Sequence, residues 1–173
     1  MQSNFDKALA CVLKSEGLYV NNPADPGGET MRGVTRNAWS TWIKRQVEDG
    51  EMAKLTVEDV TPFYKELYWD SAGCDKMPIG LDYLLFDAAV NMGVGRAVRL
   101  LQQSLGCVPD GVIGANVINA LNITPVDRLL TKFTTQKEQF YKSLKTFSVF
   151  GQGWLNRCQD VLNNAKEFID GKL

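Results

Sequence analysis

Histidine is absent from this chain of 173 residues, and its absence removes more chemistry than any other feature of the composition. Ser-His and Cys-His nucleophile pairs need an imidazole as base and HExxH zinc sites need it as ligand, so all three are excluded. Cys11, Cys74, Cys107 and Cys158 stand far apart with no CxxC pair. That spacing excludes zinc ribbons and thioredoxin-like motifs and leaves buried free thiols as the reading. An excess of charge is also missing: 19 basic and 20 acidic residues leave a net charge of −1, and no overall field draws the chain onto nucleic acid or a membrane surface. No stretch approaches the roughly 18 apolar residues of a membrane-spanning helix. The opening MQSNFDKALACVLKSEG mixes charges into its apolar pattern, unlike a signal peptide. A soluble product made in a cytoplasm is therefore expected. Internal repeats, low-complexity tracts and long Ser/Gly hinges are lacking too, so one compact domain is expected at this length. Without histidine, hydrolytic work falls to carboxylates, and glycoside hydrolysis is the common reaction class that two carboxyl groups, or one with a positioned water, can run.

What is present reads as helix. Phe5, Ala8, Leu9, Val12 and Leu13 recur on one face of a first helix that ends near Gly17. Thr35 can cap a second helix carrying Ala38, Trp39, Trp42, Ile43 and Val47, and Thr56 with Asp59 has capping-box spacing before a third. Thr61-Pro62 reads as a restart of that helix with proline at its first position. Residues 80–92 are apolar on most sides, as a central buried helix requires. Gly93 and Gly95 break it before a helix on Ala97, Val98, Leu100, Leu101 and Leu105, Thr124-Pro125 opens a longer one reaching Leu144, and a last runs from about Trp154 to Ile169. CVPDGVIGANV has turn chemistry at Asp110-Gly111 and is the best internal boundary.

Against this regularity the stretch SEGLYVNNPADPGGETMRGVT, Ser15 to Thr35, stands out. Glu16 lies eleven residues after Phe5, and at about 100° per residue it returns to the apolar stripe. It also sits at the helix C-terminus, where the dipole disfavours a negative charge by roughly 0.3–1 kcal/mol. Both effects favour the neutral acid that a glycosidic oxygen needs as proton donor, although a glutamate that turns to solvent as the helix frays fits the same pattern. Asn21-Asn22-Pro23 and Asp25-Pro26-Gly27-Gly28 are strong turn formers, with short strands expected at Tyr19-Val20 and Met31 to Val34 on either side. Such a ribbon brings Asp25 and Thr30 towards Glu16, the arrangement that holds and deprotonates a water beneath a sugar ring. Taken singly, Asp25 reads equally as an Asx-turn residue and Thr30 as a plain strand residue.

The pattern E-G-x-Y-x-N-x-P-x-D-P-G-G-x-T-x-x-G-V-T, Glu16 to Thr35, resembles the signature of glycoside hydrolase family 108, lysozyme-like endolysins of phages and prophages. YWDSAGCDKMPIGLDYLLFDAAVNMGVGRAVRLLQ, DGVIG and FGQGWLNR resemble the rest of that domain and its usual peptidoglycan-binding partner segment, so the likeness spans nearly the whole chain. Leu18 departs from a usual second glycine, and Glu29 from a position often small. The resemblance implies a mostly α, α+β lysozyme-like fold, helical and a single globular unit, with a small β-hairpin beside the cleft. It implies a catalytic portion over 1–92 and a peptidoglycan-binding-like portion over 93–173. It also implies muramidase activity on the bond between N-acetylmuramic acid and N-acetylglucosamine. Glu16 matches the family's catalytic glutamate, and Asp25 and Thr30 are similar to the second and third members of the Glu/Asp/Thr sets of phage-type lysozymes. Because the gap between Asp25 and Thr30 is one residue shorter than in those lysozymes, Thr35 is a substitute for Thr30.

Further candidates line a substrate path in the same reading. Tyr19 and Tyr68 suit a cleft, while Asp87 and Asn91 lie at i, i+4 on the central helix and, if buried, need either sugar or a neighbouring turn as partner. Trp39 and Trp42 sit at core spacing, and Lys132, Lys137, Lys142 and Lys145 decorate the long helix as a solvated face or a contact for anionic wall polymers. No metal or organic cofactor is implied. The expected partners are peptidoglycan glycan strands for a monomer that waits in the host cytoplasm until a holin opens the inner membrane, with no nucleic acid and no stable membrane association. Competing readings are a lytic transglycosylase that uses Glu16 alone and a non-catalytic cell-wall-binding module.

Overall fold

The computed structural model describes residues 4–16, 19–20 and 29–172. It is mostly helical, with one small antiparallel sheet, and divides into two compact units, Asp6–Leu67 and Tyr68–Leu173 with Met1–Phe5. Among the described residues no helix is long and apolar enough to cross a membrane.

In the first unit, helix α1 (Phe5–Glu16) buries Ala8, Leu9 and Val12 and ends on Glu16, as its apolar spacing requires. Strands β1 (Tyr19–Val20), β2 (Thr30–Met31) and β3 (Val34–Thr35) form a three-stranded sheet in that order, with Val20 opposite Thr30 and Thr30 opposite Thr35. The stretch expected as one strand, Met31 to Val34, is instead a tight hairpin. Arg32 at φ 50° and Gly33 at φ 79° are its two turn residues, the positive pair that a type I′ turn demands. Thr35 then caps α2 (Arg36–Ile43), its Oγ1 accepting from the Ala38 N–H at 3.2 Å. That helix stops at Lys44, φ 57°, so Val47 is buried from the following loop rather than from the helix. The capping box forms at α3 (Val57–Tyr64), with the Thr56 hydroxyl and Asp59 carboxylate each satisfying the other's backbone N–H. No restart occurs at Thr61. Pro62 lies inside the helix, its ring exposed, and a π-helical segment, Lys65–Asp70, follows directly. A proline cannot donate to the carbonyl four residues back, and the hydrogen-bond register changes from α to π three residues after it.

The second unit is built around α4 (Leu81–Met92), whose residues 81–89 are all buried. It packs against α5 (Val94–Leu105), α7 (Val126–Lys142) and α8 (Phe147–Ile169). Phe5, Trp69 and Phe86 meet edge to face with centroids 5.4–5.8 Å apart and close one end of this core. Gly93, φ 85°, separates α4 from α5, but Gly95 lies within α5. A short helix, α6 (Ala115–Ile123), follows the Asp110-Gly111 turn where only a boundary was expected. Helix α8 begins seven residues before Trp154, because the Phe147 ring covers Gly151 and makes that glycine a packing position rather than a break.

Candidate active site

Glu16 is the last residue of α1 and half-buried. Its stem rests on the hairpin turn: a Cβ placed on Gly33 would lie 3.0 Å from Glu16 Cβ and Cγ and 2.6 Å from the Tyr64 hydroxyl. Only glycine provides both the positive φ and the space. Tyr64, 1% exposed, donates its hydroxyl to the Arg32 carbonyl at 2.7 Å, and Arg32 Nε donates to the Leu55 carbonyl at 3.3 Å. The turn beneath Glu16 is thus fixed from both sides. Tyr64 was not among the residues singled out from the sequence. Only the fold shows its hydroxyl reaching across 32 residues to the turn.

The two threonines are brought together. Thr30 and Thr35 are direct cross-strand partners, so their side chains share one face of the sheet. The Thr35 hydroxyl is engaged as the α2 cap, whereas no hydrogen bond of the Thr30 hydroxyl occurs among the described residues. Asp25 lies outside the described residues.

Tyr19 is 39% exposed on β1 and donates its hydroxyl to Glu29 Oε1 at 2.6 Å. Glu29 Oε2 accepts from Arg36 Nη1 at 2.6 Å, the Glu29 carbonyl accepts the Arg36 N–H at 2.8 Å, and Arg36 Nη2 continues to the Val47 carbonyl. The hydrogen bond from Tyr19 and that from Arg36 hold the Glu29 carboxyl below its ordinary value. The unusual residue at position 29 therefore braces the outer strand of the sheet to α2 and the loop beyond it.

The remaining candidates lie in the second unit. Tyr68 is half-buried in the π-helical segment. Asp87 is 1% exposed, with Lys137 Nζ at 2.5 Å from Oδ2 and Arg157 Nη2 at 2.9 Å from Oδ1. Burial alone would push its carboxyl up, but the Lys137 and Arg157 charges outweigh burial and hold it below its ordinary value. Asn91 is exposed and turns its amide back to the Asp87 carbonyl at 2.7 Å. Lys137, read from sequence as part of a solvated face or a contact for anionic wall polymers, is instead 3% exposed, because α7 turns it inward to neutralise Asp87. Among the described residues no group of three or more cysteine, aspartate or glutamate side chains is arranged to hold a metal ion.

Comparisons with known proteins agree with this architecture. The family model described as Glycosyl hydrolase 108 matches residues 9–93, the span that contains Glu16, the sheet, the π-helical segment and α4. Among solved structures, SagA of Brucella abortus is 38% identical, with a TM-score of 0.86 over 97% of this chain and 97% of that one. No curated protein matches.

Proposed function

We propose a function from one premise: this chain belongs to the glycosyl hydrolase 108 family. It is a glycoside hydrolase, and its family supports peptidoglycan as the substrate. Our reading is that it is an endolysin-type N-acetylmuramidase, cleaving between N-acetylmuramic acid and N-acetylglucosamine. What carries it is the seat of Glu16, at the end of α1 against Gly33, beside the strands that hold Thr30 and Thr35 as an opposed pair. Glu16 donates its proton to the glycosidic oxygen as the C–O bond breaks, and a water attacks the anomeric carbon. Asp25 takes the water's proton, with Thr30 as its hydroxyl partner, since Thr35 is committed to capping α2. Tyr19 stands at the outer strand as a sugar contact. Residues 1–92 perform the cleavage and 93–173 hold the wall, in a monomer that stays in the host cytoplasm until a holin opens the inner membrane.

Purified peptidoglycan digested by wild-type and Glu16→Gln protein tests this. General acid catalysis supplies roughly 100- to 10,000-fold, so the variant loses at least 100-fold in rate while keeping its melting temperature. Mass spectrometry of the wild-type products shows reducing muramic ends. Anhydro-muramic ends replace the reading with a lytic transglycosylase, and wall clearing by Glu16→Gln at the wild-type rate removes Glu16 from the chemistry.

A further inference from the structure

Helices α5 and α7 pack side by side in the second unit and leave a cavity of about 330 Å³ between their outer faces. It is lined by Arg96, Arg99 and Gln103 from α5 and by Gln136 and Gln139 from α7. Leu100 and Phe140 form its apolar floor. The Arg96 guanidinium lies over the Phe140 ring, 4.6 Å from the centroid, a stacking that holds the planar fork at the rim. Arg99 donates from Nη1 to the Gly95 carbonyl at 3.4 Å. Among the described residues no acidic side chain lines the cavity and neither arginine forms a salt bridge. Asp110, which feels the Arg99 charge, is itself engaged: its Oδ1 accepts from Gln102 at 2.6 Å and from the Val112 N–H at 2.8 Å. Glu138, on another face of α7, faces Lys142 at 3.9 Å.

We propose that this cavity is a carboxylate site for the peptide stems of peptidoglycan, an inference that rests on the hydrolase reading above. The two guanidiniums of the lining carry N–H donors in the planar fork that suits a carboxylate better than a lysine ammonium does, with Arg99 resting against Gly111. Three carboxamides, each with donor and acceptor, match the alternating N–H and C=O of a peptide, and Leu100 with Phe140 accepts an aliphatic stem. A polyol phosphate wall polymer fits less well: its phosphates engage the two arginines, but it offers no aliphatic side chain to Leu100 and Phe140. Aromatic contacts lead away from the cavity, Phe140 to Tyr141 at 5.8 Å and Tyr141 to Trp154 at 5.1 Å, with Phe150, 55% exposed, next in line. Tyr141 is buried, so Phe150 and the half-buried Trp154 are the rings that offer surface to a sugar bearing the stem peptide.

Calorimetric titration of the full chain with a free stem tetrapeptide tests the proposal, alongside the same peptide amidated at its terminal carboxyl and a polyol phosphate polymer. The tetrapeptide binds wild type, and binding weakens about tenfold or more on amidation and in Arg96→Gln and Arg99→Gln, the loss of one charge-assisted pair. The exposed Lys54→Gln, with the same change of charge, binds as wild type. Equal affinity in the arginine variants, no tetrapeptide binding, or preference for the polyphosphate each overturns the proposal. Peptide-free glycan, offered to the wild-type protein in parallel, keeps the two readings apart: release of reducing ends without tetrapeptide binding removes the cavity assignment and leaves the hydrolase reading standing.

Discussion

At the scale of single residues the tightest point in the first unit is Gly33. An alanine there must adopt φ near 79° and carry a methyl 2.6 Å from the Tyr64 hydroxyl and 3.0 Å from the Glu16 stem. The strain costs about 1 kcal/mol and the clash about as much again. Tyr64→Phe alone leaves the Arg32 carbonyl without its donor, a loss of about 1 kcal/mol. It also removes the oxygen that an alanine at 33 would strike. Gly33→Ala is therefore expected to cost about 2 kcal/mol in wild type and clearly less in the Tyr64→Phe background, as read from urea midpoints. Strict additivity would show that the two groups do not compete for one space. Glu16 could be read from sequence because a carboxylate on an apolar stripe is anomalous in itself. Tyr64 could not, because a tyrosine on such a stripe looks like core until the fold reveals what its hydroxyl touches. Asp87 falls between: the sequence says that it needs partners if buried, but Lys137 and Arg157 lie fifty and seventy residues away.

Among the elements, the helices were legible wherever their apolar period ran uninterrupted, and were misplaced where glycine or proline intruded. Pro62 and Gly95 look like breaks, but each lies inside a helix, α3 and α5. The start of α8 was hidden by two glycines with opposite physical roles. At Gly151 a Cβ would stand 2.5 Å from the Phe147 ring, whereas at Gly153 nothing lies within 4 Å. Alanine is favoured over glycine in a helix interior by about 1 kcal/mol, so Gly153→Ala is expected to raise the thermal midpoint. Gly151→Ala must displace the Phe147 ring and lowers it. Melting curves of the two variants check this, and shifts of the same sign would mean that propensity alone governs this helix. The sheet shows the converse. Strands β1 and β2 were legible at Tyr19-Val20 and from Met31, but the second hairpin was not, because Arg-Gly is not a usual pair for a type I′ turn and looks like strand interior.

Two buried carboxylates of α4 act on the stability of the whole molecule against pH in opposite senses. Asp87 is held below its ordinary value, so its contribution is present above that value and is lost only as the pH falls through the lower folded one. Asp82, 5% exposed, behaves the other way. Burial pushes its carboxyl up to about 6 from 3.8, although the Gly80 and Tyr83 N–H groups donate to Oδ1 at 2.8 and 2.7 Å. A carboxyl with a raised folded pKa binds protons more tightly in the native state. Its stabilising contribution is full below 3.8 and disappears as the pH rises through about 6. A shift of this size corresponds to a decline on the order of 2–3 kcal/mol across that interval. Asp82→Asn keeps an oxygen to accept both N–H groups and has no proton to lose, so its stability stays flat over the same interval. The variant therefore overtakes wild type as neutrality is approached. Urea midpoints at pH 4, 5, 6 and 7 decide the matter: parallel curves for the two proteins would mean that Asp82 remains ionised in the fold. They would also mean that the fall in wild-type stability comes from another group.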